Sequence, residues 1–140
     1  MKNIILFIFL TGIFTTCTKE DVAPCACVDN RACTEEYRIL NIEITNAAGQ
    51  PYILDSYYTT KVEDNLKFNL QTDSRDSLAS ITGEYPVAED QLFQFTDRCG
   101  KEFKFTGIKN GVEVISQTYT VAHDCCHVVI NEGEVKIVVN

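Results

Sequence analysis

From Tyr37 the chain alternates apolar and polar residues, with Leu40, Ile42 and Ile44 on one side of a period-two run and Asn41, Glu43 and Thr45 on the other. Such alternation predicts a strand with one buried face. Asn46-Ala47-Ala48-Gly49-Gln50-Pro51 carries turn formers, and the Tyr-, Ile- and Thr-rich stretch 52–60 is expected to return beside the first strand as a hairpin. Leu66 to Leu70 alternates again as a short strand, whereas the polar stretch 71–82 reads as a loop or helical turn. Gly83 to Ala88 reads as an edge strand, because Pro86 cannot donate to a ladder. Gln91 to Thr96 reads as one more strand, and Lys109-Asn110-Gly111 predicts a tight hairpin between 103–108 and 112–121. His127 to Ile130 and Val135 to Val139 complete the set, separated by the turn residues 131–134. The total is seven to nine short strands and no helix of three turns. Antiparallel strands with one apolar face must stack two sheets to hide it, so the expected fold is an all-β, antiparallel β-sandwich over residues 34–140.

The first residues carry a different pattern. Met1-Lys2-Asn3 is followed by an almost unbroken apolar run from Ile4 to Phe14 and then by Thr15-Thr16-Cys17. A charged start, an apolar run of roughly 11 residues and a small-residue end describe a signal peptide over 1–16, too short for the roughly 20 residues that a bilayer needs. The Cys placed directly after this run resembles the lipobox of bacterial lipoproteins, in which the Cys becomes the acylated first residue after cleavage. Phe14-Thr15-Thr16 stands where that family usually has Leu, a small residue and then Gly, Ala or Ser. Lys19-Glu20-Asp21 is similar to the Lys and two acidic residues that follow the lipidated Cys in surface-exported lipoproteins of the Bacteroidota. The resemblance implies an outer-membrane lipoprotein exposed at the cell surface, with Cys17 held in the bilayer by acyl chains such as palmitate. Residues 17–33 would then be a Cys-rich tether.

Cysteine usage agrees with export. Seven Cys leave one over when paired, and acylation of Cys17 would absorb it. Cys25, Cys27, Cys33, Cys99, Cys125 and Cys126 remain for up to three disulfides in an oxidising compartment. A bridge between the adjacent Cys125 and Cys126 would close a strained ring. The 103–121 hairpin puts Cys99 and Cys125-Cys126 on the same side of the domain. The expected pairing therefore joins Cys99 to one of the adjacent pair, sends the other back to the N-terminal group, and leaves a local clip among Cys25, Cys27 and Cys33.

Composition excludes some functions. The 140 residues hold 12 Lys plus Arg against 20 Asp plus Glu, a formal net charge of -8, so there is no surplus of cations for a phosphate backbone and nucleic acid is not an expected partner. Cleavage after residue 16 removes only Lys2, which takes the balance to 11 against 20, or -9. The length allows one ordinary domain, and nothing in it implies a cofactor.

Candidate chemistry is sparse. His123-Asp124-Cys125-Cys126-His127 offers His123, Asp124 and His127 as metal ligands, but five consecutive residues cannot wrap round one ion unaided. Cys25-Ala26-Cys27 could be a redox pair, although its neighbours are acidic rather than cationic. Asp73 and Asp76 lack the spacing of a calcium loop. Tyr57 and Tyr58 are adjacent, so on a strand one of them points outward, where it either packs across strands or offers a sugar platform. No nucleophile elbow, His-Glu-x-x-His helix or glycine-rich phosphate loop occurs.

The strand ending in Asn-x-x-Gly-x-Pro over Ile42 to Pro51, Gly83-Glu84-Tyr85-Pro86-Val87, and Tyr119-Thr120-Val121 leading into Asp124-Cys125-Cys126-His127-Val128 together resemble the carboxypeptidase regulatory-like, or transthyretin-like, β-sandwich of Bacteroidota surface proteins. That resemblance implies a non-catalytic accessory domain that presents loops to a protein or glycan partner. The alternative is a metal-binding protein or metal-assisted enzyme built on the segment from His123 to His127.

Overall fold

The computed structural model describes residues 24–27 and 32–140. The expected leader over 1–16 and the expected anchor Cys17 lie outside the described residues. Among the described residues, eight strands form two sheets: β1 Ile39–Asn46, β2 Ser56–Lys61, β3 Leu66–Phe68, β4 Glu84–Glu89, β5 Lys101–Lys109, β6 Val112–His123, β7 Val128–Glu132 and β8 Lys136–Val139. One sheet has the order β4-β1-β8 and the other β3-β2-β5-β6-β7. The result is a two-sheet, sandwich-like β domain with one helix, α1 Asp73–Thr82, and a 3₁₀ helix at Asp90–Phe95.

The core lies between the sheets. Ile42, Ile44, Tyr85 and Val87 of the smaller sheet face Tyr57, Phe103, Phe105, Tyr119 and Val121 of the larger one, and all are buried. Tyr57 meets Tyr85 edge to face at 5.1 Å between ring centroids. Thr59 also points inward, and its hydroxyl donates to Val87 O at 2.7 Å, so its polar atom is matched across the sheets.

The β5–β6 hairpin forms as expected: Asn110 and Gly111 at its tip both have positive φ, 52° and 73°, as a twisted two-residue turn requires. The Asn46–Pro51 turn also forms, with Asn46 Oδ1 accepting from the N–H groups of Ala48 and Gln50. The expected β1–β2 hairpin does not. β4 and β8 flank β1 on its two edges, so after the short bridge between Thr45 and Pro51 the chain crosses to the larger sheet. The hydroxyl of Tyr85 holds this crossing, accepting from Leu54 N–H at 3.0 Å and donating to Tyr52 O at 2.9 Å.

Two further expectations are corrected. The sandwich is not antiparallel throughout, since β8 runs parallel to β1. After β7 the chain changes sheets at Gly133, where φ is 128° and a Cβ would collide with the Tyr119 ring. The Tyr119 hydroxyl caps this crossing by donating to Glu134 O at 2.8 Å. Residues 91–96 are not a strand: 91–95 form most of the 3₁₀ helix and Thr96 caps its end. With three residues per turn, Leu92 and Phe95 fall on one side, Leu92 into the core and Phe95 against Phe68 at 5.0 Å.

Asp73 and Asp76 belong to the first turn of α1, where carboxylates suit the positive end of the helix dipole, and Thr72 caps it by accepting from Arg75 N–H. Arg75 pairs with the buried Glu89 carboxylate and also donates to Leu70 O, which ties the helix to β4.

Replacing Tyr85 by Phe leaves the packing intact but strands Leu54 N–H and Tyr52 O. The expected loss is about 1–3 kcal/mol of unfolding free energy, read as a lower urea midpoint with an unchanged slope.

Candidate functional site

The residues with chemical potential gather at the pole where β5 begins and β6 ends, Lys101 pairing with Val121 there. Two Asp residues shape its loops. Asp97 Oδ1 accepts from the N–H groups of Cys99 and Gly100 at 2.9 and 2.8 Å, and Asp124 Oδ1 accepts from those of Cys126 and His127 at 2.9 and 2.8 Å. These side-chain turns hold Cys99, Cys125 and Cys126 at the surface of the pole.

The N-terminal segment runs across them. Arg98 N–H donates to Cys25 O and the Arg98 guanidinium donates to Ala26 O. Three disulfides then fasten the segment: Cys25–Cys99, Cys27–Cys125 and Cys33–Cys126, with Cα–Cα distances of 5.2, 5.6 and 5.3 Å. The expected Cys99 bond to Cys125 or Cys126 and the expected local clip are both absent. The reason is that the segment lies between the two loops, so each loop Cys meets an N-terminal Cys before it meets another loop Cys. Cys25, Cys27 and Cys33, all within the expected Cys-rich tether 17–33, are thus each bonded to the domain.

His123, Asp124 and His127 do not converge. The His123 ring is stacked on Phe93, 4.1 Å between centroids, and its Nδ1 accepts from Cys125 N–H at 3.2 Å and lies 3.8 Å from Cys27 Sγ. Asp124 is exposed and pairs with Arg38 at 3.5 Å. His127 is buried and turns elsewhere, with Nδ1 2.8 Å from Asp90 Oδ2 and Nε2 3.0 Å from the Thr34 hydroxyl. An ionised carboxylate only accepts, so His127 donates from Nδ1 to Asp90 and shares its Nε2 hydrogen bond with the Thr34 hydroxyl. The chain Asp90–His127–Thr34 has the atom order of a carboxylate–imidazole–hydroxyl relay. Its hydroxyl stands one residue from the Cys33–Cys126 bridge, where the bonds latch the N-terminal segment to the pole.

Two trios place ligand-type atoms within 4.8 Å of one another: Cys27, His123 and Cys125, and Cys25, Asp97 and Cys99. Each contains a closed disulfide, whose sulfurs are not thiolates and cannot serve as metal ligands. Asp124 and His127 belong to neither trio. Asp90, Phe93 and Thr34 complete the pole although nothing in the local sequence marks them, because their partners lie 30 to 93 positions away.

Three carboxyls at this pole sit below their ordinary range. Desolvation pushes Asp90 up, but hydrogen bonds from Arg38 N–H, His127 and Val128 N–H outweigh it. Asp97 balances likewise, desolvation against Lys101 and the N–H groups of Gly100 and Cys99. Asp124 is lowered by the N–H groups of His127 and Cys126.

A second feature lies towards the other end of the larger sheet. An open cleft of about 440 Å³ is lined by Ser56, Tyr58, Lys67, Asn69, Gln71 and Ile108. Tyr57 turns into the core, so Tyr58 is the outward member of the pair, half-buried, with Lys67 Nζ 3.4 Å from its ring centroid. The outer Tyr is thus covered by a cation as well as lining a polar cleft. Comparison of the chain with protein-family models, with curated proteins and with solved structures found no match.

Asp90→Asn removes a charge that accepts from two backbone N–H groups and an imidazole, and is expected to lower unfolding free energy by about 1.5–3 kcal/mol at neutral pH. The pole carboxyls bind protons more weakly folded than unfolded, so their contribution is present above about pH 4 and fades as pH falls below it. Thermal melts from pH 7 to pH 2 should therefore show a smaller acid-induced drop in Tm for Asp90→Asn than for the native protein.

Proposed function

We propose that the chain is a lipid-anchored, extracytoplasmic binding or assembly module with an immunoglobulin-like or transthyretin-like sandwich and no catalytic activity. The observation that carries this reading is that all three disulfides fasten the segment following Cys17 to a single pole of the domain. Disulfides of this kind belong to an oxidising compartment outside the cytoplasm, and among the described residues no helix is long and apolar enough to cross a membrane. With Cys17 acylated, the eight residues to Cys25 would span at most about 28 Å when extended, which keeps the bridged pole near the bilayer.

The cleft supports the binding half of the reading. Ser56 and Ile108 are cross-strand partners next to the β5–β6 turn, whereas the bridged pole lies at the opposite end of the same strands. A pole tied to the outer membrane therefore turns the cleft away from the lipid. Its amides, hydroxyls, single Lys and outward Tyr suit a polar protein loop or a glycan. Retention would come from buried acyl methylenes, about 0.8 kcal/mol each, and not from charge, because the acidic chain opposes anionic headgroups.

Intact-mass analysis and fractionation of cells expressing the full chain test the anchor. The native protein should lack residues 1–16, carry acyl mass and gain six hydrogens on reduction, two for each of the three bridges. Cys17→Ser should lose the acyl mass and leave the membrane fraction. Protease added to intact cells should remove the native domain; its survival would place it on the periplasmic face, and recovery of a soluble, fully reduced product with residues 1–16 attached would overturn the reading.

A further inference from the structure

The three disulfides are not chemically equivalent. Cys25–Cys99 has the Asp97 carboxylate among its neighbours, all three ligand-type atoms lying within 4.8 Å. An anion at that distance repels an incoming thiolate. In Cys33–Cys126, Cys33 Sγ stands 3.7 Å from the carbonyl oxygen of Cys125. Cys27–Cys125 has an imidazole instead: His123 Nδ1 stands 3.8 Å from Cys27 Sγ, and the ring is fixed by its stack on Phe93. In each bridge one Cys is exposed and the other half-buried, Cys27 being the exposed member of this pair, so the imidazole and not exposure distinguishes Cys27–Cys125. Cys125 also has a φ of 77°, a left-handed conformation that favours glycine.

We infer that Cys27–Cys125 is a thiol–disulfide exchange site that reacts with a partner dithiol while Cys25–Cys99 and Cys33–Cys126 stay closed as its frame. In the reducing direction, one thiolate of the partner attacks Cys27 Sγ. The Cys27–Cys125 bond breaks, a mixed disulfide forms on Cys27, and Cys125 leaves as a thiolate that takes a proton from water. The second thiolate of the partner then attacks its own sulfur in the mixed bond, closing the partner's disulfide and releasing Cys27, which takes the second proton. The partner loses two electrons and two protons, and the bridge gains two electrons and its sulfurs two protons. His123 acts on the way back. With the pair open, its Nδ1 lone pair gives up Cys125 N–H and takes the Cys27 S–H proton. The Cys27 thiolate attacks the partner's disulfide and expels one partner thiolate, and Cys125 then attacks Cys27 Sγ and expels the other, so the partner gains the two electrons that the closing bridge loses.

The frame makes the exchange reversible. Cys25 lies two residues before Cys27, and Cys126 directly follows Cys125, and each is held by its own bridge. Both sulfurs of the opened pair therefore stay close, and the Thr34–His127–Asp90 latch holds the far end of the segment. The site differs from a local Cys25–Cys27 pair, and it stands whether or not Cys17 carries lipid.

The test exposes the native protein to graded dithiothreitol at neutral pH, traps free thiols with an alkylating agent and maps them by peptide mass. The expected first product carries label on Cys27 and Cys125 alone, forming about tenfold faster than any species labelled at the other four Cys. With oxidised dithiothreitol as the oxidant, His123→Gln should slow re-closure of that pair about tenfold and leave the other two bridges intact. The inference is overturned if another pair opens first, if the three open in one step, or if His123→Gln re-closes at the native rate. The order of opening in the native protein decides the matter by itself should the variant fail to fold.

Discussion

The constraint on which the rest of the structure depends is the closure of one pole by three bonds that each join the N-terminal segment to the far half of the chain, across 74, 98 and 93 positions. A segment of so few residues, polar and without a periodic apolar face, could not be held by packing alone. Each bridge removes the entropy of a long loop from the unfolded chain, typically about 2–4 kcal/mol, although overlapping loops make the three less than additive. Because the bridges meet loops already shaped by Asp97 and Asp124, they fix a surface that the hydrogen bonds have prepared.

The two sheets need a different kind of closure. The chain changes sheets four times, and the first and last of these crossings, between β1 and β2 and between β7 and β8, leave backbone groups without a ladder partner. Tyr85 and Tyr119 resolve this in the same way. Each buries its ring in the core and reaches a crossing with its hydroxyl, so one side chain supplies both apolar area and the missing hydrogen bonds. Core and connections are therefore coupled, and the cleft beside Tyr58 inherits its geometry from strands pinned at both ends.

Much of this was legible in the residues. Alternation located β1, β2, β3, β5, β6, β7 and β8, Pro86 marked β4 as an edge strand, and Asn110-Gly111 set the hairpin between the long strands β5 and β6. What escaped was which edge each strand would find. Asn46 to Pro51 announces a reversal, but no local signal says that β4 and β8 already flank β1. Gln91 to Phe95 alternates like a strand, yet Asp90 is drawn away by Arg38 N–H, His127 and Val128 N–H, and the turns that follow it wind tightly. At the candidate site the same limit applies. The six bonded Cys could be counted from composition, whereas their partners depend on where an irregular segment crosses the pole. His123 and His127 are close in sequence but face opposite neighbours, since the Asp124 turn lies between them.

The order of the cysteines along the chain has a consequence for biogenesis. Cys25, Cys27 and Cys33 emerge from an N-to-C export channel well before Cys99, Cys125 and Cys126, so the early thiols meet an oxidant while their true partners are still inside. The nearest sulfurs they can find are each other's, and any link made then must be undone. Correct assembly would accordingly be limited by the shuffling of premature bonds rather than by the supply of oxidant, and a host rich in disulfide isomerase would be the one that yields this domain whole.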